Sequence, residues 1–175
     1  MLLLLMPILS VFADSHKKWV LVDTESRTLA VMKGESEFLK FDEIAIGRAG
    51  TSEVHVLGDD TTPLGEFRIT RINDESKYYR FFGFDYPTLN HVLKAHYQGV
   101  IDYSTFKAIT NQMERQRVSP QLTALGGYIG IHGVGGGDPE VHEDYNWTNG
   151  CIALTNRQVD ELTPYLKIGT KVIVR

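Results

Sequence analysis

The sequence predicts a β-rich α+β domain with one helical insertion at about residues 87–118. Apolar and polar residues alternate through most of the N-terminal half, which is typical of half-buried strands. Between residues 87 and 118 the apolar residues recur at helical intervals instead, and short apolar strands return before the C-terminus. The chain has 42% hydrophobic and 23% charged residues, which is ordinary for one globular domain.

The N-terminal strands form a predicted β-meander. Alternation runs over Trp19–Asp23, Thr28–Lys33 and Glu37–Ile46, and turn-like TESR and KGES segments separate the three runs. A loop rich in glycine and polar residues follows, and Pro63 with Gly65 predicts a turn before a strand over Glu66–Ile72.

The second half mixes helices with short strands. YYRFFGF predicts a strand, TLNHVLKAHY and YSTFKAITNQMERQR predict two helices, and GGYIGIHG predicts a strand that ends near His132. The segment GVGGGDPEVHEDYNWTNG is so rich in Gly, Asp and Asn that we expect a loop. A helix capped by Thr155 or Asn156 and interrupted or ended near Pro164 then precedes a closing strand, GTKVIVR.

Residues 1–13, MLLLLMPILSVFA, resemble a signal peptide, which leaves 14–175 as one domain. The apolar run is shorter than the roughly 20 residues that cross a bilayer, and it ends on a small residue. No Lys or Arg precedes it, so a buried N-terminal strand is the alternative. We expect an exported protein of the periplasm or cell envelope. The net charge of −4 argues against general binding to nucleic acid or anionic membranes.

Cys151 is the only cysteine, which excludes an internal disulfide and any zinc site built on CxxC pairs. A lone thiol is either an inert buried residue or a nucleophile, and a nucleophile needs a nearby base. His132 at the end of a strand is the candidate base, expected to raise the thiolate fraction. Gly150 leaves the approach to the sulfur open, and the backbone N–H groups of Asn149 to Cys151 are candidates for an oxyanion hole.

These residues resemble the HxG…(S/T)xGC signature of the L,D-transpeptidase catalytic domain family. IHG at 131–133 precedes TNGC at 148–151, TPLGEF at 62–67 is similar to the family's TPxGxF element, and WVLVD…LAVMKG is similar to its opening hairpin. The resemblance implies an L,D-transpeptidase-like β-sandwich, Cys151 as the acylated nucleophile and His132 as proton acceptor and donor. It also implies that a backbone carbonyl orients the histidine, and that no cofactor or metal is needed.

The chain departs from the family pattern at two positions. Asn149 stands where many members have histidine, and Ala153 stands where they have arginine. WTNGCIAL resembles a branch containing both crosslinking and peptidoglycan-cleaving enzymes. We therefore expect Cys151 to take an acyl group from a tetrapeptide stem of peptidoglycan and transfer it to an amine. With water as acceptor, the alternative is an L,D-carboxypeptidase, or an amidase that releases a wall-linked protein.

Two further classes of protein fit the sequence less well. A wall-binding module with a degenerate site would not require the intact His132 and Cys151 pair. A papain-like protease would have its cysteine before its histidine, the reverse of the order here. A metal site of His132, His142 and Cys151 is disfavoured because catalytic zinc ligands usually show tighter spacing.

Other residues have weaker support from sequence. Gly133 and Thr148 are expected to shape the site, and the helical insertion, including His91 and His96 as structural or exposed residues, is expected to cap the cleft. The candidates for substrate binding are Arg48, Arg80, Lys94 and Trp147.

Overall fold

The computed structural model describes residues 17–175, which form ten strands, four α-helices and one 3-10 turn at Thr163–Tyr165. The strands are β1 Lys18–Asp23, β2 Thr28–Lys33, β3 Ser36–Phe41, β4 Thr51–Ser52, β5 Thr62–Pro63, β6 Gly65–Ser76, β7 Tyr79–Phe84, β8 Gly130–Gly133, β9 Ile152–Leu154 and β10 Lys171–Val174. The helices are α1 Leu89–Tyr97, α2 Tyr103–Gln116, α3 Pro139–Asp144 and α4 Asn156–Leu162.

Eight strands form one mixed sheet in the order β3-β2-β1-β10-β6-β7-β8-β9. The pairs β1/β10 and β8/β9 are parallel, and the other pairs in this sheet are antiparallel. The long strand β6 joins the two halves, because Gly65–Arg68 pairs with β10 whereas the later residues pair with β7. β4 and β5 form a separate two-stranded parallel sheet.

Both halves of the large sheet contribute to a single apolar core. Val20 and Val31 from the first half, and Ile131 and Leu154 from the second, are fully buried in one cluster. In β1, burial alternates from Val20 to Val22 as the apolar periodicity predicts, whereas β8 and β9 are buried throughout. The core fixes the register of β8 and β9, since a one-residue slip would turn Ile131, Ile152 and Leu154 away from the core cluster.

The helical insertion has its own small core. Val92 and Ala95 of α1 pack with Ile109 of α2, and this cluster continues onto Val54 and Leu125. The insertion is therefore anchored on the segments around residues 54 and 125. The prediction of a β-rich α+β fold with two helices between residues 87 and 118 is confirmed.

Two local predictions were wrong. β3 ends at Phe41 rather than at Ile46, because Glu43 adopts a positive φ of 61° and interrupts the strand. The predicted loop after β8 contains α3, whose start is stabilised by Asp138, since its carboxylate accepts the Glu140 N–H at 2.9 Å. The low helix propensity of this segment predicted a loop. The helix forms because the capping bond outweighs that propensity.

The predicted signal peptide at residues 1–13 lies outside the described residues. Within residues 17–175, no helix combines the length and apolar character required to cross a membrane.

Candidate active site

The pairing of β8 with β9 brings His132 and Cys151 to neighbouring strands. His132 is the third residue of β8 and lies opposite Ala153, while Cys151 directly precedes β9. Side chains two residues apart along an extended chain point to the same side, so Cys151 and Ala153 share the face that carries His132. The parallel register therefore places the two residues diagonally across one face of the sheet.

A backbone carbonyl orients the His132 imidazole. Nδ1 donates to the Gly133 carbonyl at 2.7 Å, which makes Nε2 the ring's acceptor nitrogen. The ring stacks on Tyr78 with centroids 4.6 Å apart, and Trp147 contacts it edge-on at 5.8 Å. Gly133 must lack a side chain, since a Cβ there would lie 2.6 Å from Oδ1 of Asn156. Histidine orientation by a carbonyl agrees with what the family resemblance implied.

Burial keeps both reactive groups neutral near pH 7. It lowers the pKa of His132 to about 4, although the bond to Gly133 opposes this shift. It also raises the pKa of the Cys151 thiol to about 11, opposed by hydrogen bonding from the Gly130 backbone. These directions run against the expectation that His132 raises the resting thiolate fraction. The Cys151 thiol instead donates to the Tyr128 carbonyl, with Sγ 3.4 Å from the oxygen.

The turn before the nucleophile is closed by Thr148. Its hydroxyl donates to the Cys151 carbonyl at 2.6 Å and accepts the Gly150 N–H at 3.1 Å. Gly150 has a φ of +126°, and a Cβ there would lie 2.6 Å from the Thr61 carbonyl oxygen. Because its N–H is bound to Thr148, the expectation of a free oxyanion donor at Gly150 does not hold in this conformation.

Arg48 and Asn149 lie together beside this turn. Arg48 donates from Nε to Asp60 at 2.8 Å and from Nη2 to Asn149 Oδ1 at 2.7 Å. Its backbone N–H also donates to the Thr148 carbonyl at 2.9 Å. Arg48 thus stabilises residues 148–150, the nucleophile turn, through bonds to Thr148 and Asn149. Ala153, where many family members have arginine, is fully buried beside this site.

The structure brings only some of the expected substrate-binding residues to the site. Trp147 and Tyr78 line a cavity of about 500 Å³. The same two side chains pack against the His132 ring. Arg80 is bound to Asp74 and Thr163. Nζ of Lys94 on α1 lies 3.2 Å from Oε2 of Glu53.

The helical insertion contributes nothing to the walls of this cavity. The lining residues are Lys77, Tyr78, Val134, Gly136, Gly137, Asp138, Val141 and Trp147. The expected cap is therefore not seen over this cavity, and the helices pack instead with Val54 and Leu125.

The described residues 17–175 contain no cluster of His, Cys, Asp and Glu side chains that could hold a metal ion. His142, a candidate ligand of the disfavoured metal site, is buried on α3. Its Nδ1 accepts the Trp147 indole N–H at 3.3 Å.

Three residues at the site had no clear signal in the sequence. Tyr78 belongs to an aromatic run that reads as core, yet it stacks on His132. Tyr128 contributes through its backbone carbonyl, which any residue would supply. His55 lies in a polar loop but is 3% exposed and packs beneath Gly150. Only long-range packing reveals the last two.

The fold and the paired cysteine and histidine define a class of β-rich catalytic domains. A model of the L,D-transpeptidase catalytic domain family, YkuD, matches residues 17–174. The chain belongs to this family. A search of curated proteins finds no match.

Solved structures share the fold at low sequence identity. Pgp2 of Campylobacter jejuni, described as a helical cell shape determining protein, is 20% identical with a TM-score of 0.58, covering 93% of this chain and 51% of that one. Bd1075 of Bdellovibrio bacteriovorus is 18% identical with a TM-score of 0.56, covering 95% and 50%. An L,D-transpeptidase of Xylanimonas cellulosilytica is 16% identical with a TM-score of 0.52, covering 93% and 62%. The chain thus spans about half the length of the first two.

Proposed function

We propose that this domain is a peptidoglycan L,D-transpeptidase in which Cys151 forms an acyl-enzyme with a tetrapeptide stem and passes the acyl group to an amine. The observation that carries the proposal is the orientation of His132 on the strand beside Cys151. Its bond to Gly133 leaves Nε2 as a proton acceptor on the face of the sheet where the thiol lies. Membership of the L,D-transpeptidase family supports the same assignment.

The neutral state of the pair determines the order of the chemical steps. As Sγ of Cys151 attacks the carbonyl after the L-centre of meso-diaminopimelate, the thiol proton moves to Nε2 of His132, and a tetrahedral oxyanion forms. The backbone N–H of Cys151 adjoins this carbon and is our proposed oxyanion donor. Collapse breaks the C–N bond, and the imidazolium returns the proton to the leaving D-Ala amine, which leaves a thioester on Cys151.

An amine then attacks the thioester. Neutral His132 accepts its proton, the new amide forms, and the Cys151 sulfur leaves and recovers the proton as a thiol. Water in place of the amine would give a carboxylic acid, and the domain would then be an L,D-carboxypeptidase or an amidase that acts on wall-linked protein. The carboxypeptidase would share every step up to the thioester with the transpeptidase. The amidase would differ in the leaving group of the first step, which would be the amine of the wall-linked protein in place of D-Ala.

The cavity beside His132 is our candidate for part of the stem-binding cleft. Tyr78, Trp147 and Val141 provide apolar wall for the methylene groups of a diamino acid. Lys77, whose Nζ lies 4.7 Å from the centre of the Tyr78 ring, and Asp138 stand at the same cavity and can face the charges of a peptide stem. Family membership and the signal-like N-terminus support action in the periplasm or cell envelope.

The test is incubation of the domain with purified tetrapeptide muropeptides and an excess amine acceptor, followed by mass spectrometry. We expect a thioester adduct on Cys151, release of D-Ala and an acceptor-linked product. Cys151→Ala is the matched control, because it removes only the sulfur. Tripeptide as the only product at every acceptor concentration would instead establish the hydrolase, and no adduct on any stem would refute the proposed function.

A further inference from the structure

His55 and Asp59 form a buried pair that the chemical steps above do not use. Nδ1 of His55 lies 2.6 Å from Oδ1 of Asp59, and His55 is 3% exposed. Asp59 also accepts the backbone N–H groups of Val56 and Thr61 and the Thr61 hydroxyl, each at 2.9 Å. Burial acts to raise the pKa of Asp59, but these bonds outweigh it and the pKa is lowered. The carboxylate therefore gives the His55 ring a fixed, ionised anchor.

The His55 ring packs against two glycines, one on each backbone segment that holds the nucleophile. A Cβ at Gly150 would lie 3.4 Å from Cε1 of His55, and a Cβ at Gly126 would lie 2.8 Å from Nε2. Gly150 directly precedes Cys151. Gly126 leads two residues later to Tyr128, whose carbonyl accepts the thiol. The ring thus supports both the turn carrying the sulfur and the segment to which the sulfur is bound.

We propose that His55, held by Asp59, is a positioning residue that sets the nucleophile turn for attack. This inference rests on the proposed function, because it concerns the geometry of the same acyl transfer. The sulfur and the N–H of Cys151 must meet one carbonyl group together, and an error of about 1 Å in such an arrangement costs about 100-fold in rate. The ring touches neither the reacting atoms nor the cavity beside His132, so its loss acts on turnover rather than on substrate affinity.

The ring also has a packing role, and the test must separate it from positioning. His55 contacts the Tyr86 ring edge-on at 5.5 Å, and its carbonyl accepts the Tyr86 hydroxyl at 2.6 Å. His55→Phe retains an aromatic ring in this space but removes the Nδ1 donor. Asp59→Asn retains the shape of the anchor but removes its charge. A role that is only structural lowers the melting temperature and leaves the turnover of each folded molecule unchanged.

The experiment measures kcat and KM with a muropeptide donor well below the melting temperature, normalised to the titrated thiol. A second arm follows single-turnover acylation of Cys151 by p-nitrophenyl acetate, a small acyl donor that needs no stem-binding cleft. His96→Phe is the matched control, since His96 lies on α1 and stacks on Phe106 away from the nucleophile.

We expect His55→Phe and Asp59→Asn each to lower kcat and the acylation rate at least tenfold with KM changed by less than about threefold. The double variant should be no slower than the worse single variant, because both act through one contact. The His96→Phe rates should match the wild type. Rates within twofold of the wild type in folded His55→Phe, or fully additive losses in the double variant, would overturn the inference.

The two arms also separate this inference from the proposed function. If the wild type turned over no muropeptide, the proposed function would fail. The p-nitrophenyl acetate arm would still decide the role of His55, because it reports on the nucleophile alone.

Discussion

The raised pKa of Cys151 predicts an unusually slow and strongly pH-dependent alkylation of the resting thiol. At about pH 7.5 a free cysteine of pKa about 8.5 is roughly 10% thiolate. A thiol whose pKa burial raises to about 11 is ionised to only about 0.03%, or about 300-fold less. The more basic thiolate is about 13-fold more nucleophilic at a Brønsted slope of about 0.45, which leaves a net reduction of about 20-fold.

The assay is the rate of iodoacetamide alkylation from about pH 6 to pH 10. Cys151 is the only cysteine in the chain, so the signal reports one site. We expect the rate to rise about tenfold per pH unit across this range without a plateau, since the thiolate fraction rises tenfold per unit below the pKa. The matched control is the same protein in denaturant, where the thiol should react about 20-fold faster at about pH 7.5.

A plateau in this pH profile would contradict a neutral resting pair. If the resting site held a thiolate beside an imidazolium, the alkylation rate would level off below about pH 8, and His132→Gln would abolish that plateau. In the neutral arrangement, His132→Gln leaves the alkylation profile nearly unchanged and acts only on acyl transfer.

The remaining predictions concern turnover and stability. Cys151→Ala should abolish muropeptide turnover while circular dichroism and the melting temperature stay close to the wild type; retained turnover would exclude Cys151 as the nucleophile. His132→Gln should reduce kcat by about two to four orders of magnitude. Because the pKa of His132 is lowered to about 4, the unfolded chain takes up this proton at a higher pH than the folded chain. The contribution of His132 to the unfolding free energy should therefore fall by about 3 kcal/mol from about pH 7 to pH 4. Urea denaturation should show this component missing in His132→Gln, and an identical pH dependence would contradict it. Arg48→Ala should free Asn149 and Asp60 and lower kcat about tenfold, the effect of one charged hydrogen bond, whereas unchanged steady-state kinetics would show that the Arg48 bonds are dispensable. EDTA should leave turnover unchanged, and a loss restored by zinc would revive a metal mechanism.

Local periodicity was enough to predict most of the elements. The alternation in residues 19–33 gave β1 and β2 with bounds close to those observed, because a strand's side-chain period does not depend on distant contacts. The helical period gave α1 and α2. Strand alternation failed at Ile46, because a positive φ at Glu43 ends the strand early. Composition failed at α3, where a capping bond stabilises the helix.

Two short motifs were enough to predict the candidate pair and its family. Cys151 follows glycine in TNGC, His132 precedes glycine in IHG, and the two motifs occur in the order and spacing of the family that matches residues 17–174. Such motifs can be recognised in a sequence because the fold restricts the residue type at each position. At Gly133 and Gly150, for example, there is no room for a side chain.

The protonation of that pair and the contacts that support it depend on tertiary packing and could not be predicted from the motifs. Burial arises from packing of the whole core, and it moves the pKa of His132 down and that of Cys151 up, so that both are neutral at pH 7. Arg48 and His55 reach the nucleophile turn from about 100 residues away in the chain, through contacts with Asn149 and Gly150. No local pattern encodes these contacts, because they depend on how the segment between β3 and β6, which contains β4 and β5, folds back onto the turn before β9.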